Sequence, residues 1–300
     1  MMRMGDFIIK QCKALLENKQ QAIMYAALLS IVPFATWLSV ALVSLVTLRK
    51  GARSGFDVLL PALVIHSVPL MMLIPISGAL INTLIAYLPC YIAAITLRNT
   101  QKWQAVFGVF LIQAVLGCLL IQLLAPDFIV IQFNQLKALL MQYQELVETG
   151  MDSISSLSLA QLFFGIQLLS AIVSSVVSLM FARSIQAKLF LPGGFKNEIL
   201  MFRSGRLSLL ILLCVSLGTY HEIPLAINVL PIVLSYFLAS GFGLAYFILA
   251  RKSQVKVFLL LLLIILLKPT FALFAYIVFG SLDSIFNFRS YLPERVNESI

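Results

Sequence analysis

The chain reads as an all-α polytopic membrane protein, a bundle of about eight to nine crossings, and three observations carry that reading. Hydrophobic residues make up 61% of it and charged residues 11%, against about 45–50% and about 25% in an ordinary soluble domain. The apolar residues form long runs without fixed charge, such as 22–48, 58–97 and 103–124. These runs are continuous rather than alternating, so they specify helices and not barrel strands, the only other architecture that satisfies its backbone in lipid. Finally, the cations gather between the runs, at Arg49, Lys50 and Arg53, at Arg98 and Lys102, from Arg183 to Arg206, and at Arg251, Lys252 and Lys256. That pattern marks segments held on the cytoplasmic face. The net charge of +9 belongs to those loops. No basic patch interleaved with stacking aromatics points to nucleic acid, and the lipid bilayer is the first partner implied.

Taken in order, residues 1–21 place Met4, Phe7, Ile8, Cys12, Leu15 and Leu16 on one helical stripe, with Lys10, Lys13 and Glu17 off it. This predicts an amphipathic helix on the cytoplasmic surface. Charge persists to Lys19 without a small-residue cleavage site, which argues against a signal peptide. Residues 22–48 are flanked by cations at both ends. As one helix the run would measure about 40 Å, more than the roughly 30 Å core requires. A hairpin broken near Pro33 puts both flanks on one side; a single tilted span is the alternative. Residues 58–97 suit two crossings with a turn at Ser77-Gly78, and 103–124 suit one.

Residues 125–157 carry Asp127, Glu145, Glu148 and Asp152 against Lys137. Their apolar stripe of Phe128, Ile131, Leu136, Leu139, Leu140, Tyr143 and Leu146 predicts an extracytoplasmic amphipathic helix, either a lid or a plain surface helix. Residues 158–182 return inward with Ser170, Ser174 and Ser178 on one face, a spacing that lets helices approach closely. The basic loop 183–206 follows, with a turn at Pro192-Gly193-Gly194. Then 207–220 go out, His221-Glu222 turn, 223–250 return, 257–280 go out again, and 281–300 form a short polar tail. The domain reading is one surface helix, one transmembrane bundle over 22–280, and that tail.

Lys268 is the sharpest chemical feature. It stands about midway along 257–280, roughly 16 Å from either end of a straight helix, where a lysine costs about 2.5–3.5 kcal/mol. It is expected to face the bundle interior. There it either meets an anionic ligand group or is satisfied by carbonyls freed at Pro269. His66 sits in an apolar run and is either a ligand-contacting or a hydrogen-bonded packing residue. Ala22 and Ala26 form a small-xxx-small pair that could dock a partner helix. Lys196, Arg203 and Arg206 are the cytoplasmic cations that a partner protein would meet. Cys12, Cys90, Cys118 and Cys214 form no CxxC pair, and His221-Glu222 lacks a third ligand, so no metal or cofactor is expected. No HExxH, Walker loop or GxSxG is present, which argues against an enzyme.

Three stretches, WLSVALVSLVTLRKGA (Trp37–Ala52), PGGFKNEILMFRSGR (192–206) and GSLDSIFNFR (Gly280–Arg289), together with the length and hydropathy, resemble the YybS-like family of bacterial polytopic membrane proteins. That family is in turn distantly similar to the substrate-capture subunits of energy-coupling-factor transporters. The resemblance implies a bacterial inner-membrane location. It also assigns Ala22 and Ala26 to a helix that docks on a membrane partner. It carries no ligand-binding residue. The expected function is transport-type capture of a small solute, anionic where Lys268 meets its charge; the alternative is a membrane-embedded scaffold that recruits partners through 1–21 and 183–206.

Overall fold

The computed structural model describes residues 4–32, 34–73, 76–124, 127–141, 156–249 and 254–291, and all regular structure among them is helical. In chain order the helices are α1 (Met4–Glu17), α2 (Lys19–Ile31), α3 (Thr36–Lys50), α4 (Ala52–Met71), α5 (Ile76–Thr100), α6 (Trp103–Leu124) and α7 (Phe128–Met141). There follow α8 (Ser156–Phe190), α9 (Gly194–Leu200), α10 (Arg206–Tyr220), α11 (Pro224–Leu249), α12 (Gln254–Leu267), α13 (Pro269–Phe286) and α14 (Phe288–Tyr291). Six helices are long and apolar enough to cross a membrane: α4, α5, α6, α8, α11 and α13. The apolar helices α10 and α12 are shorter. The chain divides into two compact units, Met1–Ala114 with Gln167–Glu198, and Val115–Ile166 with Ile199–Ile300, where the sequence suggested a single bundle.

In the first unit α3 is the axis. Every residue from Ser39 to Leu48 is buried, because α2, α4 and α5 pack around it. The helix break expected near Pro33 is present: α2 ends at Ile31 and α3 begins at Thr36. The basic flanks do share one end, since Lys19, Lys50 and Ser54 line the same small cavity and Lys19 pairs with Asp57 at 2.6 Å. Ala22 and Ala26 are 1% and 0% exposed. They face helices of their own chain, and the Ser39 hydroxyl donates to the Ala26 carbonyl at 2.7 Å. The small-residue face is therefore consumed internally and is not free to dock a partner helix. Close approach also recurs where Gly55 meets Thr47: a Cβ at Gly55 would lie 2.0 Å from Thr47 Oγ1. The stripe of α1 ends on this core through buried Leu16 and partly buried Cys12 and Leu15.

In the second unit α11 and α13 form the tightest pair. A Cβ on Gly241 would stand 1.8 Å from the Tyr276 carbonyl oxygen, and one on Gly280 would stand 2.1 Å from that of Phe237. Only glycine permits this crossing. The 257–280 run is not one span. The Tyr276 hydroxyl donates to the Leu261 carbonyl at 3.3 Å, yet 15 positions of straight helix would separate these residues by about 22 Å. The chain therefore reverses at Lys268, the non-helical residue between α12 and α13 (φ −139°, ψ 67°). Pro269 explains the break, because its ring disfavours helical backbone in the preceding residue and it supplies no N–H. The predicted helix at 128–148 is present as α7 over the described part, 128–141, but its packed face differs. Ile129 is buried and Phe133 meets Phe163, while Phe128 and Ile131 are exposed. The continuation to 148 lies outside the described residues.

Candidate functional site

Two side-chain clusters bring arginines and a carboxylate together among the described residues, one in each unit. In the first unit, α3, α5 and α8 bring Arg49, Arg98 and Arg183 to one cavity of about 280 Å³. Leu48, Leu97, Gln101 and Gln186 complete its lining. Each cation arrives for a local reason. α3 ends at Gly51, whose φ of 104° closes the helix with a bond to the Thr47 carbonyl. This leaves Arg49 in the last turn, where a cation complements the helix dipole. Arg49 stacks on the Phe190 ring, 3.8 Å from its centroid. Arg98, in the last turn of α5, reaches across to α3. Its Nη1 donates to the Thr47 and Leu48 carbonyls at 3.2 and 3.3 Å. Gln186 donates to the same Leu48 carbonyl at 3.3 Å. The exposed carbonyl end of α3 is thus capped by side chains from two other helices.

Arg183 is only 9% exposed. It donates through Nε to both carboxylate oxygens of Glu198 at 3.2 and 3.1 Å, and through Nη2 to Oε1. Its Nη1 donates to Gln186 Oε1 at 2.6 Å. The Trp103 indole N–H donates to Glu198 Oε2 at 3.2 Å, and Phe195 packs edge-on against that indole. Glu198 is presented by α9, which starts after the turn at Gly193 (φ 86°). Among the described residues neither Arg49 nor Arg98 has a carboxylate at ion-pair distance. Gln101 at the cavity edge holds a left-handed backbone, φ 53°, a conformation costing roughly 1–2 kcal/mol for a residue other than glycine. Chemically, the arrangement offers the guanidinium groups of Arg49 and Arg98, from two helices, to whatever enters, while Arg183 is held by Glu198 and Gln186.

In the second unit, Asp283 is 0% exposed. Its Oδ2 lies 3.3 Å from Arg289 Nε, and its Oδ1 accepts from the Phe288 backbone N–H at 3.1 Å. Arg203 donates to the Asp283 and Ser284 carbonyls at 2.7 and 2.9 Å. Arg289 donates to the Leu200 carbonyl. Ser204, Ser240 and Ser284 close the network through Gly280 and Gly205. Burial holds the Arg289 guanidinium below its usual pKa; Asp283 pulls it back up and Arg203 pushes it further down. The segments 200–205 and 280–289 are therefore one interlocked piece of structure. Arg203 belongs to this lock, whereas Lys196 and Arg206 are exposed.

The other sequence-predicted residues fall elsewhere. Lys268 is exposed at the reversal between α12 and α13, so the expected interior lysine is corrected. At the carbonyl end of α12 the cation is favoured by the helix dipole and needs no buried partner. His66 Nδ1 lies 3.0 Å from the Ser30 carbonyl and its ring meets Tyr87 edge-on. A carbonyl only accepts, so Nδ1 carries the proton. The histidine therefore ties α4 to the unwound end of α2, which is the packing role. No trio of metal-ligating side chains occurs among the described residues.

Sequence reasoning missed the arginine cavity. Arg49, Arg98 and Arg183 served as markers of sidedness one at a time, and the recurrence of Arg49 and Arg98 in the last turns of apolar helices was the available signal. Compared with protein-family models, with curated proteins and with solved structures, the chain matches none of them.

Proposed function

We propose that this is a multi-pass protein of the bacterial inner membrane, related to the YybS-like family, that captures a small anionic solute as part of a transport-type function. The arginine cavity of the first unit is the observation that carries the reading. It groups three guanidiniums with one carboxylate, and it lies where apolar helices give way to polar ends. The capture point is thus moved from Lys268 to this cavity. Counting α10 and α12 with the six long helices gives eight crossings, the lower of the eight to nine expected, with the α2–α3 hairpin entering and leaving on one side. The scaffold alternative, recruitment of a partner protein through the basic loop, draws support from the exposure of Lys196 and Arg206.

The test is thermal unfolding of the purified protein in neutral detergent against a panel of anions, with wild type beside Arg49→Gln. Anion capture predicts stabilisation of the wild type that grows with anion concentration and is diminished in the variant. A panel that shifts both proteins equally, or neither, removes the reading. Pull-down with Lys196 and Arg206 replaced together tests the scaffold alternative.

A further inference from the structure

We infer that the arginine cavity takes a phosphoryl group, as a phosphate ester either free in solution or in the headgroup of an anionic lipid; this rests on the anion-capture reading above. Charge is the first argument. Arg49, Arg98 and Arg183 line the cavity, and the one carboxylate paired with them among the described residues, Glu198, sits on Arg183 alone. Two positive charges therefore remain. A phosphate monoester carries about −1.5 to −2 at neutral pH, which matches; a monocarboxylate does not.

Donor geometry is the second argument. With Arg183 engaged by Glu198 and Gln186, the forks of Arg49 and Arg98 come from two separate helices, and planar guanidinium groups bind phosphate bidentately. A tetrahedral oxyanion can accept from several directions at once, while a carboxylate presents two oxygens in one plane. Size fits as well. At about 280 Å³ the cavity lies just under the roughly 300–1,000 Å³ of drug-sized sites, which suits a headgroup or small ester rather than a nucleotide.

Gln101 supplies an independent observation. It follows α5 with its N–H bonded to the Leu97 carbonyl at 2.9 Å and φ of 53°, the place where glycine ordinarily ends a helix. A glutamine held there in a strained backbone brings an amide to the cavity edge. Strain of this kind clusters at ligand clamps. Gln101→Gly therefore separates structure from binding: it relieves the backbone and removes the amide.

The experiment uses the full chain in nanodiscs. In neutral phosphatidylcholine discs, equilibrium binding of glycerol 3-phosphate and inorganic phosphate is compared with that of succinate, a dicarboxylate of similar charge. In discs containing phosphatidic acid, whose headgroup is a phosphate monoester, native mass spectrometry counts retained lipid. Wild type, Arg49→Gln and Gln101→Gly are compared throughout. The proposal predicts a preference for phosphate over succinate on the order of tenfold, lost in both variants, while Gln101→Gly unfolds no earlier than wild type. Retention of phosphatidic acid that falls in both variants, without binding of the soluble esters, supports the lipid source. Succinate binding as tight as phosphate overturns the phosphoryl assignment and leaves anion capture standing. Absence of any anion or lipid dependence on Arg49 overturns both.

Discussion

Arg183 in the first unit and Arg289 in the second are both buried arginines held against a carboxylate, yet their neighbourhoods differ in one respect. Around Arg289 and Asp283 the cations donate to backbone carbonyls of Leu200, Asp283 and Ser284. Serine hydroxyls and a glycine crossing fill the rest of that neighbourhood. Around Arg183 a cavity remains, and Arg49 and Arg98 line it without an acid of their own among the described residues. The same pair of residue types makes a lock in one unit and leaves surplus positive charge beside open space in the other. An ion pair is therefore no guide to function until the space and the unmatched charge around it are known.

The comparison can be broken most forcefully at Asp283. Replacing it by Ala strands Arg289 without its counter-charge in a site that excludes water. Breaking a buried pair costs about 3–5 kcal/mol, so Asp283→Ala should lose most of its folded yield, read by size-exclusion chromatography in detergent. A variant that unfolds with wild type would show that the lock is ornamental. Next in size is the glycine crossing. Gly241→Ala drives a methyl into the Tyr276 carbonyl, and overpacking of this kind costs about 1–3 kcal/mol; thermal unfolding checks it. His66→Phe keeps the ring and loses the donor to Ser30. The unpaired carbonyl should cost about 1–3 kcal/mol, with anion binding preserved, and loss of binding at unchanged stability would return His66 to the ligand site. The smallest effect belongs to Lys268→Met. An exposed side chain at a helix reversal should change stability by less than about 0.5 kcal/mol and leave anion binding intact, so abolished binding would restore the interior-lysine reading.

Much of the fold was legible in the residues. Cations on both flanks of 22–48 favoured a reversal over a single tilted span, and the break falls between Ile31 and Thr36. The reversal at Lys268 was not legible, because hydropathy continues across it and one non-helical residue is enough to turn the chain. Pro269 supported a local break only; the fold-back shows first in the bond from Tyr276 to Leu261. The small-residue pair Ala22 and Ala26 revealed close approach but not the identity of the neighbour. For the site, the obstacle was distance along the chain. Gln186 meets Leu48 across 138 positions and Arg98 meets it across 50, so no local pattern could assemble the cavity. A lone lysine in an apolar run drew attention because its cost was local, whereas Arg49 and Arg98 at helix ends each had a sufficient local reason to be there.

The claim that Arg49 and Arg98 hold an anion is tested most directly by arginine-selective modification with phenylglyoxal, mapped by mass spectrometry with and without inorganic phosphate. Phosphate should slow modification of Arg49 and Arg98 and leave the exposed Arg206 unchanged. Equal protection at all three, or none at Arg49 and Arg98, would contradict it.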